Sequence, residues 1–83
     1  MRSLPRTVKA ITINPKYAEA WLMTGDIHNQ HFNLFEAEKC YRKAASLQPN
    51  FIDAHMKLGD TLLQQNHLEE AVAEYRTVTQ LNP

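Results

Sequence analysis

"YRKAASLQP", Tyr41 to Pro49, returns 34 residues later as "YRTVTQLNP", Tyr75 to Pro83, and "TVKAITINP", Thr7 to Pro15, stands one period earlier. Pro15, Pro49 and Pro83 mark the same point of each period. Between them Gly25 pairs with Gly59, Asp26 with Asp60, Ala20 with Ala54, Ala37 with Ala71, Leu34 with Leu68 and Leu47 with Leu81. Self-similarity at a period of 20 to 50 residues is the mark of a repeat architecture, in which one supersecondary unit is stacked on copies of itself.

Each period divides into two helical patterns. Ala20, Trp21, Thr24, Gly25 and His28 fall on one helix face, and after the polar break "NQHFN" Leu34, Ala37, Tyr41, Ala44 and Leu47 do the same. The second period repeats this with Ala54, His55, Leu58, Gly59 and Leu62, then Leu68, Ala71, Tyr75, Val78 and Leu81. Asn33 with Glu36 and Asn66 with Glu69 have the spacing of a capping box, and Asn14-Pro15 and Asn50 with Asp53 mark the other starts. No strand-like alternation of useful length is present. The spacing predicts five helices, over 3–13, 16–30, 33–47, 50–65 and 67–81.

A glycine inside a helix costs about 1 kcal/mol against alanine, so Gly25 and Gly59 need a reason. Both lie on the predicted buried face. The expectation is a close crossing by the following helix, with small residues, Ala37 and Ala71, opposite.

Composition bounds the rest. Eighty-three residues make one small domain, and 43% hydrophobic with 22% charged residues is ordinary for a folded chain. The lone Cys40 precludes an intrachain disulfide, so nothing points to an oxidising compartment, and the expected location is cytoplasmic. The net charge of zero hides an asymmetry. Residues 1–16 carry Arg2, Arg6, Lys9 and Lys16 and no acid, whereas residues 17–83 carry five bases and nine acids. A basic, acid-free start is also the composition of an organelle transit peptide, which stands as the alternative reading of that segment.

A 34-residue helix–turn–helix with W-x2-L-G-x2-Y, then A-x3-F and a closing proline, is the tetratricopeptide repeat pattern. Trp21, Thr24, Gly25, His28, Ala37, Tyr41, Ala44 and Pro49 follow it in one period, and His55, Leu58, Gly59, Leu62, Ala71, Tyr75, Val78 and Pro83 in the next. The chain resembles tetratricopeptide repeat proteins over nearly its whole length. It departs at His55, where tryptophan is usual, at His28, where tyrosine is usual, and at Phe32 and Asn66, where the turn usually has glycine. Phenylalanine does not readily take the left-handed conformation, so the first turn is expected to shift by one residue onto Asn33. The resemblance implies an all-α, right-handed superhelical solenoid: a single domain over 1–83, with the second helix of a partial repeat in 1–15 and full repeats in 16–49 and 50–83. Two and a half uncapped repeats imply a piece of a longer array, or self-association through the open ends.

Chemistry-bearing constellations are sparse. His28 and His31 lack a third ligand at a sensible spacing, and the expectation is no metal. Cys40 sits beside Lys39 and Arg42, which would lower its pKa slightly, but no histidine-plus-acid arrangement accompanies it. No phosphate loop or nucleophile elbow occurs, and no basic stripe outside residues 1–16 suits a nucleic acid. No catalytic residue, cofactor, membrane span or nucleic-acid partner is expected. Glu36/Lys39 and Glu38/Arg42 read as exposed helical pairs.

In proteins this chain resembles, the first helix of each pair lines a groove for an extended peptide or a partner helix. The corresponding positions here are Glu19, Leu22, Met23, Asp26, Asn29 and Gln30, then Asp53, Met56, Lys57, Asp60, Leu63 and Gln64. Relatives that hold a C-terminal carboxylate use lysine and asparagine where Leu22, Asp26, Met56 and Asp60 stand, so that function is disfavoured. The asparagine ladder of sugar-transferring relatives is missing too, with Met23 and Lys57 in its place. The acids Glu19/Asp53 and Asp26/Asp60, bracketing Leu22 and Met56, instead suggest a basic and apolar peptide; the alternative is that they only solvate the helices. The function expected is a non-enzymatic protein-interaction scaffold. The alternatives are a substrate-presenting segment of a larger multi-domain protein, or a self-assembly module.

Overall fold

The computed structural model describes residues 17–82. These form four helices: α1 Ala18–Gln30, α2 Leu34–Leu47, α3 Ile52–Gln64 and α4 Leu68–Leu81. The helix expected over 3–13 lies outside the described residues. No strand is found among the described residues. Helix α1 packs on α2, α2 on α3 and α3 on α4, so the two hairpins stack in chain order.

The turns inside both hairpins follow one plan. Phe32 has φ 60° and Asn66 φ 67°. The amide of Asn33 donates to the His28 carbonyl at 2.9 Å and that of Phe32 to Asn29 at 3.0 Å. His67 to Leu62 and Asn66 to Leu63, each at 2.9 Å, repeat the pair. This is a Schellman ending, in which the left-handed residue closes the helix by satisfying its last carbonyls. The expected shift of the first turn onto Asn33 does not occur, since Asn33 keeps φ −86° and starts α2. Phe32 is held in this conformation by the two bonds that close α1, and, being 86% exposed, it meets no packing conflict there. Neither capping box forms a side-chain cap. Asn33 is the N-cap of α2 without such a bond, and Asn66 closes α3, leaving His67 as the N-cap of α4. Links this short make one residue end one helix and adjoin the next, which takes Asn66 out of capping position.

The core runs through both hairpins: Ala18, Leu22, Ala37, Tyr41, Ala44, Ala45, Ala54, Leu58, Leu62 and Ala71, with Trp21, Leu47, Phe51 and Tyr75 packed against it. Thr61 is also fully buried, its hydroxyl donating to the Lys57 carbonyl at 2.9 Å. Leu68 and Leu81, expected inside, are 52% and 37% exposed.

The helical glycines do mark close approaches, but what approaches is an aromatic ring. A Cβ on Gly25 would stand 2.6 Å from Tyr41 Cε1, and one on Gly59 would stand 2.8 Å from Tyr75 Cε1. Ala37 and Ala71 are buried in the core; the rings take the space next to the glycines. Each glycine leaves room for the ring of a tyrosine from the following helix to lie against its helix backbone.

Candidate functional site

Each of those tyrosines reaches past its glycine to the next residue of the opposite helix. Tyr41 Oη donates to Asp26 at 2.6 Å, and Tyr75 Oη to Asp60 at 2.5 Å. Burial, reinforced by the bond to Asp26, pushes the Tyr41 hydroxyl well above its ordinary pKa. Tyr75 rises to about 12, chiefly through its bond to Asp60. Glycine, aspartate and tyrosine thus form one latch per hairpin, repeated at 34 residues.

The latches fix which residues α1 and α3 present outward. Glu19, Met23, Asp26 and Gln30 share one side of α1, and Asp53, Lys57, Asp60 and Gln64 the matching side of α3, by the spacing of a helix face. The two helices stand side by side, with Lys57 Nζ 3.2 Å from an Asp26 carboxylate oxygen. That pair is the one contact between predicted site residues of different helices among the described ion pairs and hydrogen bonds. It joins the two hairpins across the face.

Two further residues of this surface are exposed acids at its edge. Glu19 accepts from Tyr17 Oη at 2.7 Å, and Asp53 is open to solvent. Met23 is 47% exposed in the middle. Asn29 is half-buried. Leu22, expected on the open surface, is only 9% exposed and belongs to the core. Its repeat counterpart Met56 is 43% exposed, and Leu63 is 49% exposed. The difference is positional: α1 has α3 beside it, and α3 has no equivalent neighbour among the described helices.

Asp26 and Asp60 are therefore not a spare acidic row. Asp26 holds Tyr41 and Lys57, and Asp60 holds Tyr75. The recurrence of Asp and Tyr fifteen residues apart in both periods was the signal for this latch, and composition alone does not reveal it.

Sequence reasoning also missed polar links within the second hairpin and between the two hairpins. His55, which stands on the first helix face where tryptophan is usual, places Nδ1 2.7 Å from Glu74 Oε1 and Nε2 2.7 Å from the Pro49 carbonyl. Glu38 accepts from Arg42 Nη2 at 2.6 Å and from Gln65 Nε2 of α3 at 2.8 Å. Burial opposes the Glu38 charge, but the bonds from Arg42 and Gln65 outweigh it and hold the carboxyl below its ordinary pKa. Cys40 departs from expectation. It is buried, and desolvation together with Glu36 raises its thiol pKa against the weaker pull of Lys39. A buried thiol with a raised pKa is a poor nucleophile.

Among the described residues no three His, Cys, Asp or Glu side chains converge as a metal site. No described helix is long and apolar enough to cross a membrane.

The tetratricopeptide repeat profile matches residues 18–51 and again residues 52–83. No curated protein sequence matches the chain significantly. Among solved structures, a crystal structure of MamA is 25% identical with a TM-score of 0.86, covering 90% of this chain and 44% of that one. A MamA double mutant is 21% identical with a TM-score of 0.87, covering 90% of this chain and 42% of that one. The chain thus spans less than half the length of these structural relatives.

Proposed function

The chain belongs to the tetratricopeptide repeat family, a family of protein-interaction scaffolds, and on that premise we propose that the joint α1/α3 face holds its partner. The partner is an extended peptide or a helix carrying apolar and basic side chains, and the chain acts on it by binding alone, without catalysis. One observation carries the reading. The latches use the acids Asp26 and Asp60, which recur at the same place of each period, for structure, while Met23, Glu19 and Asp53 on the same face stay exposed and engage no other described helix. A polarizable, unbranched methionine adapts to varied apolar surfaces, and two flanking carboxylates select for positive charge and speed encounter.

Asp26→Lys and Asp60→Lys would release Tyr41 and Tyr75 and confuse folding with binding. The sound test is Glu19→Lys combined with Asp53→Lys. Linear peptides selected from a random display library against the unaltered chain should be enriched in Lys, Arg and apolar residues. Their affinity for the double variant should fall about tenfold, the size of one to two lost exposed charge contacts each of up to ~1 kcal/mol. Selected peptides with no basic bias, or unchanged affinity in the double variant, would reject this reading.

A further inference from the structure

The outer side of α4 carries a pattern that the repeat plan does not call for. Helix α2 shows what that side does when covered. There Tyr41 and Ala45 are buried, and Glu38 receives the side-chain amide of Gln65 from α3. Thirty-four residues on, the same side of α4 shows Leu68 52% and Val72 49% exposed, Thr79 open and Tyr75 half-buried.

Two substitutions between the copies change its chemistry. Glu38, the acceptor for an arriving helix, is replaced by Val72, and Phe35 is replaced by Glu69. Arg76 keeps the place of Arg42 but loses the carboxylate four residues before it. Leu68, Glu69, Val72 and Arg76 now line one shallow groove along α4. Glu69 and Arg76 are both exposed and make no ion pair with any described residue. Seven residues apart, they stand about 10 Å from each other along the axis, too far to pair within one helix.

We infer that this side of α4 is a dimer seam for a second copy of the chain, with the two α4 helices antiparallel about a two-fold axis between Val72 and Ala73. A two-fold interface must be self-complementary. That axis sets Glu69 opposite the partner's Arg76 and Arg76 opposite the partner's Glu69, so both charges that have no mate among the described residues find one. The apolar stripe of Leu68, Val72, Tyr75 and Thr79 alternates with its copy along the seam, as ridges enter grooves in helix pairs. Val72 lacks the carboxylate with which Glu38 receives Gln65 of α3, so the polar link that joins α3 to α2 has no counterpart on α4. The seam lies on a different face from the α1/α3 surface and does not depend on the binding proposed there. A single helix pair falls below the ~1,200 Å² typical of stable complexes, so the dimer is weak and reversible.

The test is sedimentation equilibrium of the 83-residue chain from micromolar to millimolar concentration, with circular dichroism to verify that each variant is folded. The unaltered chain should pass from monomer to dimer. Glu69→Arg and Arg76→Glu should each raise the dissociation constant about tenfold or more by opposing like charges. An equimolar mixture of the two single variants should dimerise as well as the unaltered chain, because arginine pairs on one copy then face glutamate pairs on the other. The double swap, Glu69→Arg with Arg76→Glu, should do the same. A monomer at every concentration overturns the seam, as does a dimer indifferent to these charges. Mass that grows beyond a dimer also overturns it, because it reports stacking through open ends. Glu19→Lys with Asp53→Lys, on the other face, should leave the dimer unchanged.

Discussion

Replacing Gly25 by alanine sets two well-known effects against each other, and the structure decides between them. Helix propensity alone makes alanine better by about 1 kcal/mol. The added methyl, however, would lie 2.6 and 2.7 Å from two Tyr41 ring carbons, about 0.8 Å inside the 3.4 Å at which ordinary contact begins. Tyr41 has no room to retreat, being fully buried and tied through its hydroxyl to Asp26. Overpacking of this kind costs about 1–3 kcal/mol. Setting the gain in propensity against it leaves a net loss of about 1 kcal/mol, or a melting temperature lower by roughly 4–8 °C in a domain of this size. At Gly59 the ring in the way belongs to Tyr75, which is half-exposed and can swing outward, so Gly59→Ala should be close to neutral. Thermal unfolding followed by circular dichroism measures both. In a Tyr41→Leu background the Gly25→Ala change should turn stabilising, which a double-mutant cycle would register as coupling. A Gly25→Ala protein more stable than the unaltered chain, or a larger loss at Gly59 than at Gly25, would refute the latch.

Phe32→Gly should stabilise the chain by about 1 kcal/mol in the same assay, because it relieves a left-handed phenylalanine whose side chain is 86% exposed. The raised hydroxyl pKa values of Tyr41 and Tyr75 make alkali destabilising: their contribution is complete below the ordinary 10.0 and is lost as pH climbs through the folded values, that of Tyr75 being about 12. A pH series of denaturant midpoints should fall above pH 10, and less steeply in Tyr41→Phe. Glu38 acts in the opposite sense, its lowered pKa adding stability that is present above the ordinary 4.5 and lost as acid protonates it; Glu38→Gln should flatten the acid limb of the same series. His55→Ala strands the half-buried Glu74 carboxylate, and should cost about 1–3 kcal/mol in equilibrium unfolding.

The architecture was legible because its cause is periodic. Helices recurring at 34 residues, with Ala37, Ala71, Tyr41 and the two glycines at fixed places, need one another's apolar sides, and that requirement is written in spacing. Reading Gly25 as a close-approach point was sound, yet its partner was misassigned. An alanine was expected opposite because small residues suit backbone contact; nothing in one helix says that a ring from the next will lie there instead. The turn at Phe32 was misread because local propensity opposes a left-handed phenylalanine, whereas a Schellman ending shared with Asn66 outweighs it. On the candidate surface, Met23, Glu19 and Asp53 are exposed. Leu22 is not, since whether that flank of a first helix is covered depends on which hairpin follows, a fact of tertiary order. The dual duty of Asp26 was hidden for the same reason: Tyr41 and Lys57 come from two other helices.

Binding to the α1/α3 face is most directly tested by amide chemical-shift mapping of the isotopically labelled chain, titrated with a peptide selected from the random library. The shifts should cluster at Glu19, Met23 and Gln30 on α1 and at Asp53, Lys57 and Gln64 on α3, with Lys39 and Lys43 on α2 silent. Shifts centred on α2 or α4, with α1 and α3 unmoved, would contradict the account.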